Sequence, residues 1–74
     1  MTARQQKKLR RAEERQAVSE LNSIRDSLSV AYARFNSTTD PDLVEAYIFE
    51  INALRARYNT ALRRCRARFE EERP

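Results

Sequence analysis

The sequence of 74 residues contains no glycine and no histidine, and it has a single cysteine, Cys65. Without glycine the chain cannot form the loops that let a backbone approach phosphate, which excludes the common nucleotide-binding motifs. Without histidine it lacks the most frequent general base and the usual catalytic triads. One cysteine permits neither an internal disulfide nor a structural zinc site. We therefore predict a protein that is not an enzyme, with no catalytic residues, no metal site and no cofactor.

Long apolar runs are also missing. No stretch approaches the roughly 20 apolar residues of a membrane-spanning helix. The charged first 15 residues lack the apolar segment of a secretion signal. Together with one free thiol, these features predict a cytoplasmic protein. A chain this short forms a single domain with a marginal core, and since disulfides and metals are excluded, self-association is the way left to stabilise it.

One segment has the composition of a turn. Residues 36–40 are Asn-Ser-Thr-Thr-Asp, all small and polar, and Pro41 follows them. Proline favours the first position of a helix, so Asp40 is expected to cap a helix that begins at Pro41. We predict helix 1 over residues 3–35, a loop over 36–40 and helix 2 over 41–71. The acidic residues that follow the loop are interpreted as helix-capping charges rather than as metal ligands.

Apolar residues on both sides of this turn recur at alternating intervals of three and four, the spacing of helices that pack along one stripe. Short loops usually connect antiparallel neighbours. One alignment pairs Phe35 with Val44, Leu28 with Ile51, Ile24 with Leu54, Leu21 with Tyr58, and Ala17 with Ala61. The predicted fold class is all-α: an antiparallel two-helix hairpin, similar to a coiled coil, that pairs into a four-helix bundle. We use the name seam for Ala17, Leu21, Ile24, Leu28, Ala31, Phe35, Val44, Tyr47, Ile51, Leu54, Tyr58, Ala61 and Cys65.

Further apolar residues flank the seam on both helices, more than a two-helix hairpin can cover. Widened apolar stripes are typical of bundles with more than two helices, so we predict a homodimer. The alternative is that the stripe binds a helix of a different protein, for which this chain would act as a regulator. The predicted interface residues are Val18, Tyr32, Ile48, Phe49 and Leu62, with Phe69 flanking the second helix as well.

The net charge of +4 is distributed unevenly. Residues 1–15 carry six basic and two acidic side chains, and residues 55–74 carry seven arginines and three glutamates, so each segment has a net charge of +4. Residues 37–54 carry four acidic side chains and no basic one. An antiparallel hairpin brings both basic segments to one end, which we call the basic end, and leaves the acidic segment at the opposite tip.

The basic end predicts an anionic partner, and nucleic-acid backbone is the alternative function because arginine suits bidentate contacts to phosphate. A membrane surface is less favoured, since neither basic segment has the apolar face of an interfacial helix. A solvated, self-neutralised face is the simpler interpretation. In it, residues 7–8 lie opposite the glutamates at 71–72, and the glutamates at 13–14 lie opposite residues 64–66. The candidate anion-contact residues are Lys7, Lys8, Arg10, Arg11, Arg63, Arg64, Arg66 and Arg68.

Three motifs stand close together after the turn: Asp-Pro-Asp-Leu at residues 40–43, Tyr-Ile with Glu-Ile over residues 47–51, and Ala-Leu followed by Tyr over residues 53–58. With these motifs, the segment Thr39–Arg66 resembles the YaaL-like family of short proteins of Gram-positive bacteria, a domain of unknown function. The resemblance implies a bacterial, cytoplasmic, helical protein. It brings no catalytic or binding residues, because the family has no established biochemical role.

Overall fold

Two helices make up the described part of the protein. The computed structural model describes residues 1–71, with Glu71 by its backbone alone, and contains α1 (Ala3–Ser37) and α2 (Pro41–Glu71) without a β-strand in that range. The helices pack side by side in opposite directions, which confirms the all-α antiparallel hairpin. They form a rod 57 Å long with a cross-section of 16 × 15 Å. α1 continues two residues beyond its expected end, so the loop has three residues instead of five.

The beginning of α1 is fixed by a capping box. The Thr2 hydroxyl accepts a hydrogen bond from the Gln5 backbone N–H (3.2 Å), and the Gln5 side-chain oxygen accepts one from the Thr2 N–H (2.9 Å). This exchange satisfies N–H groups that have no partner within the helix. The turns that follow are rich in Arg, Lys, Gln and Glu, whose straight side chains lose little freedom in a helix. The helix thereby carries its first basic residues to the far end of the rod.

The turn between the helices is built without a left-handed residue. Thr38 takes extended backbone angles (φ −91°, ψ 144°), and its hydroxyl accepts a hydrogen bond from the Asp40 N–H (3.2 Å). The Asp40 carboxylate accepts one from the Asp42 N–H (2.9 Å), which confirms Asp40 as the cap of α2. No residue of the described range has a positive φ. Hydroxyl and carboxylate caps therefore make the reversal, which explains how a chain without glycine can turn.

The seam forms the core, as predicted. Leu21, Ala31, Ile51, Ala61 and Cys65 are buried, and every other seam residue is half-buried. Ala31 and Ala61 are only 1% and 3% exposed, because their small side chains lie where the two helices approach closely. The positions between the seam residues are mostly exposed, which is the burial pattern of one stripe per helix.

The core is thin, and its apolar part stops short of the basic end. The largest buried side chains, Leu21 and Ile51, remain 9% and 7% exposed, because a rod of two helices has no further layer to cover them. Beyond Cys65 the same spacing continues with half-buried Arg68, which lies beside half-buried Glu14 and Glu13. Polar contacts therefore take the place of apolar ones in the last turns of the rod.

Candidate interaction surfaces

One side of the rod carries a row of apolar residues from both helices, which we call the apolar edge. Its members are Val18, Tyr32, Ile48, Leu62 and Phe69. The seam pattern alternates steps of three and four residues, and each member comes directly after the position at which a step of four begins. In an antiparallel pair, residues at this place in the heptad project to the same side of both helices. Val18 of α1 and Phe69 of α2 line one groove, so both helices contribute to this edge.

The apolar edge is incompletely covered within the hairpin. Val18 is 37% exposed, Tyr32 43%, Ile48 44% and Phe69 48%, while Leu62 is half-buried. Single exposed apolar residues are common on protein surfaces, whereas a row of neighbours on one side marks an interaction surface. Four of the five predicted interface residues therefore share one edge with Phe69.

Phe49 lies apart from that edge. It is 67% exposed, and it follows Ile48 by one residue, a rotation of about 100° around α2. The aromatic ring therefore sits on the outer face of α2, away from the side on which α1 packs. The structure does not bring Phe49 together with the other predicted interface residues.

Two arginines interrupt the apolar edge at mid-length. Arg25 follows Ile24 and Arg55 follows Leu54, so both occupy the same place in the spacing as the apolar edge residues. The Arg25 guanidinium donates a hydrogen bond to the Tyr58 hydroxyl on the other helix (3.3 Å). This bond raises the pKa of Arg25 further above its ordinary high value, so the side chain stays charged at every relevant pH. The edge is thus divided into an apolar part near the basic end and another near the tip.

The opposite side of the hairpin is charged, and we call it the polar edge. Glu13, Glu20, Arg64 and Arg68 line a shared groove there. Arg68 Nη1 donates to Glu13 Oε2 in an ion pair whose side chains are each 42% exposed. At that exposure the pair contributes about 0–1 kcal/mol. Glu13, which was expected to lie opposite residues 64–66, thus forms its ion pair with Arg68. The long Arg68 side chain starts from an inward position and reaches across to the other helix.

Seven of the eight candidate anion-contact residues are exposed. Arg68 differs, since it is half-buried and paired with Glu13. Arg64 faces the polar edge, where two glutamates share its groove. The prediction that the glutamates at 71–72 neutralise residues 7–8 concerns glutamate side chains that lie outside the described residues. The exposed candidates are Lys7, Lys8, Arg10, Arg11, Arg63, Arg64 and Arg66.

A second basic surface, which we call the basic groove, brings in residues that the sequence analysis missed. Among the described side chains, its lining consists of Arg4, Lys7, Lys8, Arg11 and Arg15 and includes no carboxylate. Arg4, Lys8, Arg11 and Arg15 follow one another at intervals of four, three and four, and Lys7 precedes Arg11 by four, so the five share one helical stripe about 16 Å long. That spacing is visible in the sequence and could have identified Arg4 and Arg15. Counting charge by segment hid this stripe because it did not separate helix faces.

Where the basic end meets the apolar edge, a third groove combines both chemistries, and we call it the end groove. Val18 and Phe69 are its apolar residues, and Arg11 and Arg15 stand beside them, with Glu14, Ser19 and Asn22 completing the lining. Arg11, Arg15 and Val18 follow one another at intervals of four and three, so they share a face of α1. The groove suits a segment that is apolar and negatively charged.

The opposite tip presents carboxylates. Asp42, Glu45 and Glu50 are exposed, and Asp42 lies in the first turn of α2, where a negative charge is favourable. Glu45 precedes Ile48 by three residues, so the two side chains share a face of the helix. The tip is thus acidic beside an apolar patch, and the end groove is basic beside an apolar patch.

Among the described residues, no three Cys, Asp or Glu side chains come together as metal ligands, and Cys65 is buried in the seam. Neither helix, as far as it is described, has a segment long and apolar enough to cross a bilayer.

Comparison with known proteins gives one match. A family model described as "Protein of unknown function (DUF2508)" matches residues 1–69, which is more of the chain than the motifs between Thr39 and Arg66. The resemblance to the YaaL-like family is consistent with this match. Neither the curated proteins nor the solved structures contain a match.

Proposed function

We propose, for a chain that belongs to the DUF2508 family of proteins of unknown function, a non-catalytic role as a small interaction protein. Two copies associate through the apolar edge, and the basic end binds an anionic partner. The absence of histidine and of glycine, together with the burial of Cys65, supports a role in binding rather than catalysis.

The observation that carries this proposal is the apolar edge on a rod only 16 × 15 Å thick. Both helices already use one stripe for the seam, so no part of the hairpin is left to cover a second stripe. Five edge side chains, each gaining about 1 kcal/mol on full burial, contribute about 10 kcal/mol when two copies pair. That sum is comparable with the whole stability of a small domain. Association would therefore determine whether the thin hairpin is well folded.

The first test is a charge placed on the apolar edge. We expect the parent to sediment at twice its chain mass of 8.7 kDa at tens of micromolar, and Ile48→Lys to sediment as a monomer. Burying an unpaired ammonium group costs about 3 kcal/mol or more, which raises the dissociation constant at least about 100-fold. Sedimentation equilibrium or light scattering measures the mass, and circular dichroism checks that the variant remains helical.

Ala56→Lys is the matched control. Ala56 is exposed on α2 two turns after Ile48, away from the apolar edge, and its replacement adds the same charge. This variant should remain dimeric. A parent that stays monomeric at tens of micromolar would overturn self-association and leave the apolar edge to a helix of another protein. Equal masses for Ile48→Lys and the parent would place the interface elsewhere.

The basic groove favours nucleic-acid backbone as a second candidate function. Within the side chains that the structure describes, no carboxylate lines the groove of these five basic residues, in contrast to the polar edge, where Arg64 shares its groove with Glu13 and Glu20. A stripe about 16 Å long can contact several consecutive phosphates. The contacts would be to backbone and independent of sequence, because such contacts position a protein on nucleic acid without reading bases.

Salt dependence tests this candidate. Binding to a 20-base-pair duplex should weaken steeply with salt, since each neutralised phosphate releases about 0.9 counterion. The double variant Lys7→Gln and Lys8→Gln should reduce the slope of log K against log salt by about 2. Fluorescence anisotropy across a salt series measures the slope.

A control with the same change in net charge separates the groove from general attraction. Arg34 and Arg57 lie outside both the basic groove and the apolar edge, and replacing both by Gln should leave most of the parent slope. If both double variants lose the same amount, net charge rather than the basic groove governs binding. Absence of binding in the parent at 50 mM salt would reject the nucleic-acid candidate.

A further inference from the structure

We infer that the second copy lies antiparallel to the first, with the acidic tip of each copy against the end groove of the other. The inference rests on the proposed self-association and adds its orientation, which an apolar edge alone does not determine. It follows from the distribution of charge and apolar surface along the rod.

The end groove presents an apolar surface beside two cations. Val18 and Phe69 retain 37% and 48% exposure there, and Arg11 and Arg15 stand next to them. A purely apolar ligand would take these two exposed guanidinium groups out of water with Glu14 as the one carboxylate among the described lining residues, which is costly. A segment with apolar and acidic side chains would satisfy both. The end groove therefore favours a bound segment that has both apolar and acidic side chains.

The tip of the same chain has that composition. Tyr32 and Ile48 are 43% and 44% exposed on the apolar edge, and Glu45 shares a helix face with Ile48. Asp42 extends the negative charge toward the turn. The tip and the end groove are thus complementary, and every copy carries one of each. A second copy is the occupant that satisfies both surfaces.

The spacing along the edge permits this arrangement in one register. Val18 and Tyr32 are 14 residues apart on α1, and Ile48 and Leu62 are 14 residues apart on α2. A two-fold axis midway between the two pairs, beside Arg25 and Arg55, therefore places the tip pair of one copy on the end pair of the other. Both pairs are covered at the same time.

Charge excludes the parallel alternative. Parallel rods pair the same edge residues, and they bring Arg25 and Arg55 of both copies together at mid-length just as antiparallel rods do. The two orientations differ at the ends of the rods, because a parallel pair places two basic segments side by side and two acidic tips side by side. The Debye length is about 8 Å at physiological salt, so neighbouring helices at roughly 10 Å still interact. Only the antiparallel pair replaces this repulsion with attraction at both ends.

The area of contact is also sufficient. In this register the rods overlap over about 28 residues of α1, or roughly 42 Å. A contact strip as wide as the rod, 15 Å, covers about 600 Å² per copy, or about 1,200 Å² for the pair. A specific interface needs about 1,000 Å², which a contact limited to the tips would not reach. The two-fold arrangement uses both tips and both end grooves, so it closes at two copies and does not continue as a filament.

The test is a distance between spin labels at the two tips. Cys65→Ala removes the native thiol, and Thr39→Cys places a single label at the exposed tip. In an antiparallel dimer with this register, each label lies about 14 residues, or roughly 21 Å along the rod, from the two-fold axis, so the two labels are about 42 Å or more apart. Ala56→Cys in the same background is the control, since this position at the middle of α2 should give a short distance in either orientation. Double electron–electron resonance measures both.

The outcomes separate the orientation from the association. A long distance at position 39 with a short one at position 56 supports the antiparallel dimer. Short distances at both positions would overturn the orientation while leaving the proposed function standing. A monomeric mass for the unlabelled parent would overturn both.

A charge variant provides a second readout that needs no label. Glu45→Lys should raise the dimer dissociation constant about fivefold to tenfold, because it places a cation at the end groove of the other copy. Glu20→Lys makes the same charge change on the polar edge and should leave the constant within about twofold. Tighter association of Glu45→Lys would indicate that tips meet tips and would overturn the inference.

Discussion

Replacing Ala31 with aspartate should unfold the hairpin at neutral pH, with a loss of at least about 3 kcal/mol in the free energy of unfolding. Ala31 is 1% exposed, the least of any described residue in the core. The seam around it consists of apolar side chains, so a carboxylate would lie there without a cation or a donor. A thin core leaves little stability to absorb this loss. Urea titration followed by far-UV circular dichroism measures it.

Ala33→Asp is the control for that experiment. Ala33 is exposed two residues later on α1, so its replacement introduces the same charge and the same loss of helix propensity. Its position near the C-terminal end of the helix adds a dipole penalty of about 0.5 kcal/mol. We expect a loss below about 1.5 kcal/mol for this variant. Similar losses for the two variants would mean that the seam does not hold the helices together.

The seam could be predicted from the sequence because its signal is local and repeated. Apolar residues that recur at alternating intervals of three and four define one apolar stripe on each helix, and the small polar residues 36–40 define one place for a turn. Asp40 and Pro41 then fix the start of α2 by their own backbone preferences. Ser37 could not be placed so well, because a small polar residue fits the last turn of a helix as readily as a loop.

The candidate surfaces were only partly predictable, because they depend on which helix faces coincide after packing. Val18, Tyr32 and Ile48 are visible as surplus apolar residues, but their union on one edge requires the alignment of both helices. Phe49 has the same composition signal and lies on the outer face of α2. Arg68 looked like one more free cation, although it projects inward and pairs with Glu13. Composition predicts that an apolar or a basic surface exists, whereas the packing of the helices determines which residues belong to it.

Ile51→Ala should lower the free energy of unfolding by about 2–3 kcal/mol at every protein concentration. Ile51 is 7% exposed in the seam, and truncation leaves a cavity that a two-helix core cannot close by moving other layers. Ile48→Ala, the same change three residues earlier, is the matched comparison. Ile48 is 44% exposed within one hairpin, so its truncation should cost less than about 1 kcal/mol when the chain is monomeric.

Concentration distinguishes the two isoleucines. The stability of a dimer rises with protein concentration by mass action, so a residue that acts at the interface matters more as dimers form. The loss caused by Ile48→Ala should therefore grow between about 1 and 100 µM, while the loss caused by Ile51→Ala stays constant. Urea titrations at several concentrations measure both. A constant small loss for Ile48→Ala across that range would show that the apolar edge stays uncovered, whereas a growing loss would show that a second copy completes the core that the hairpin begins.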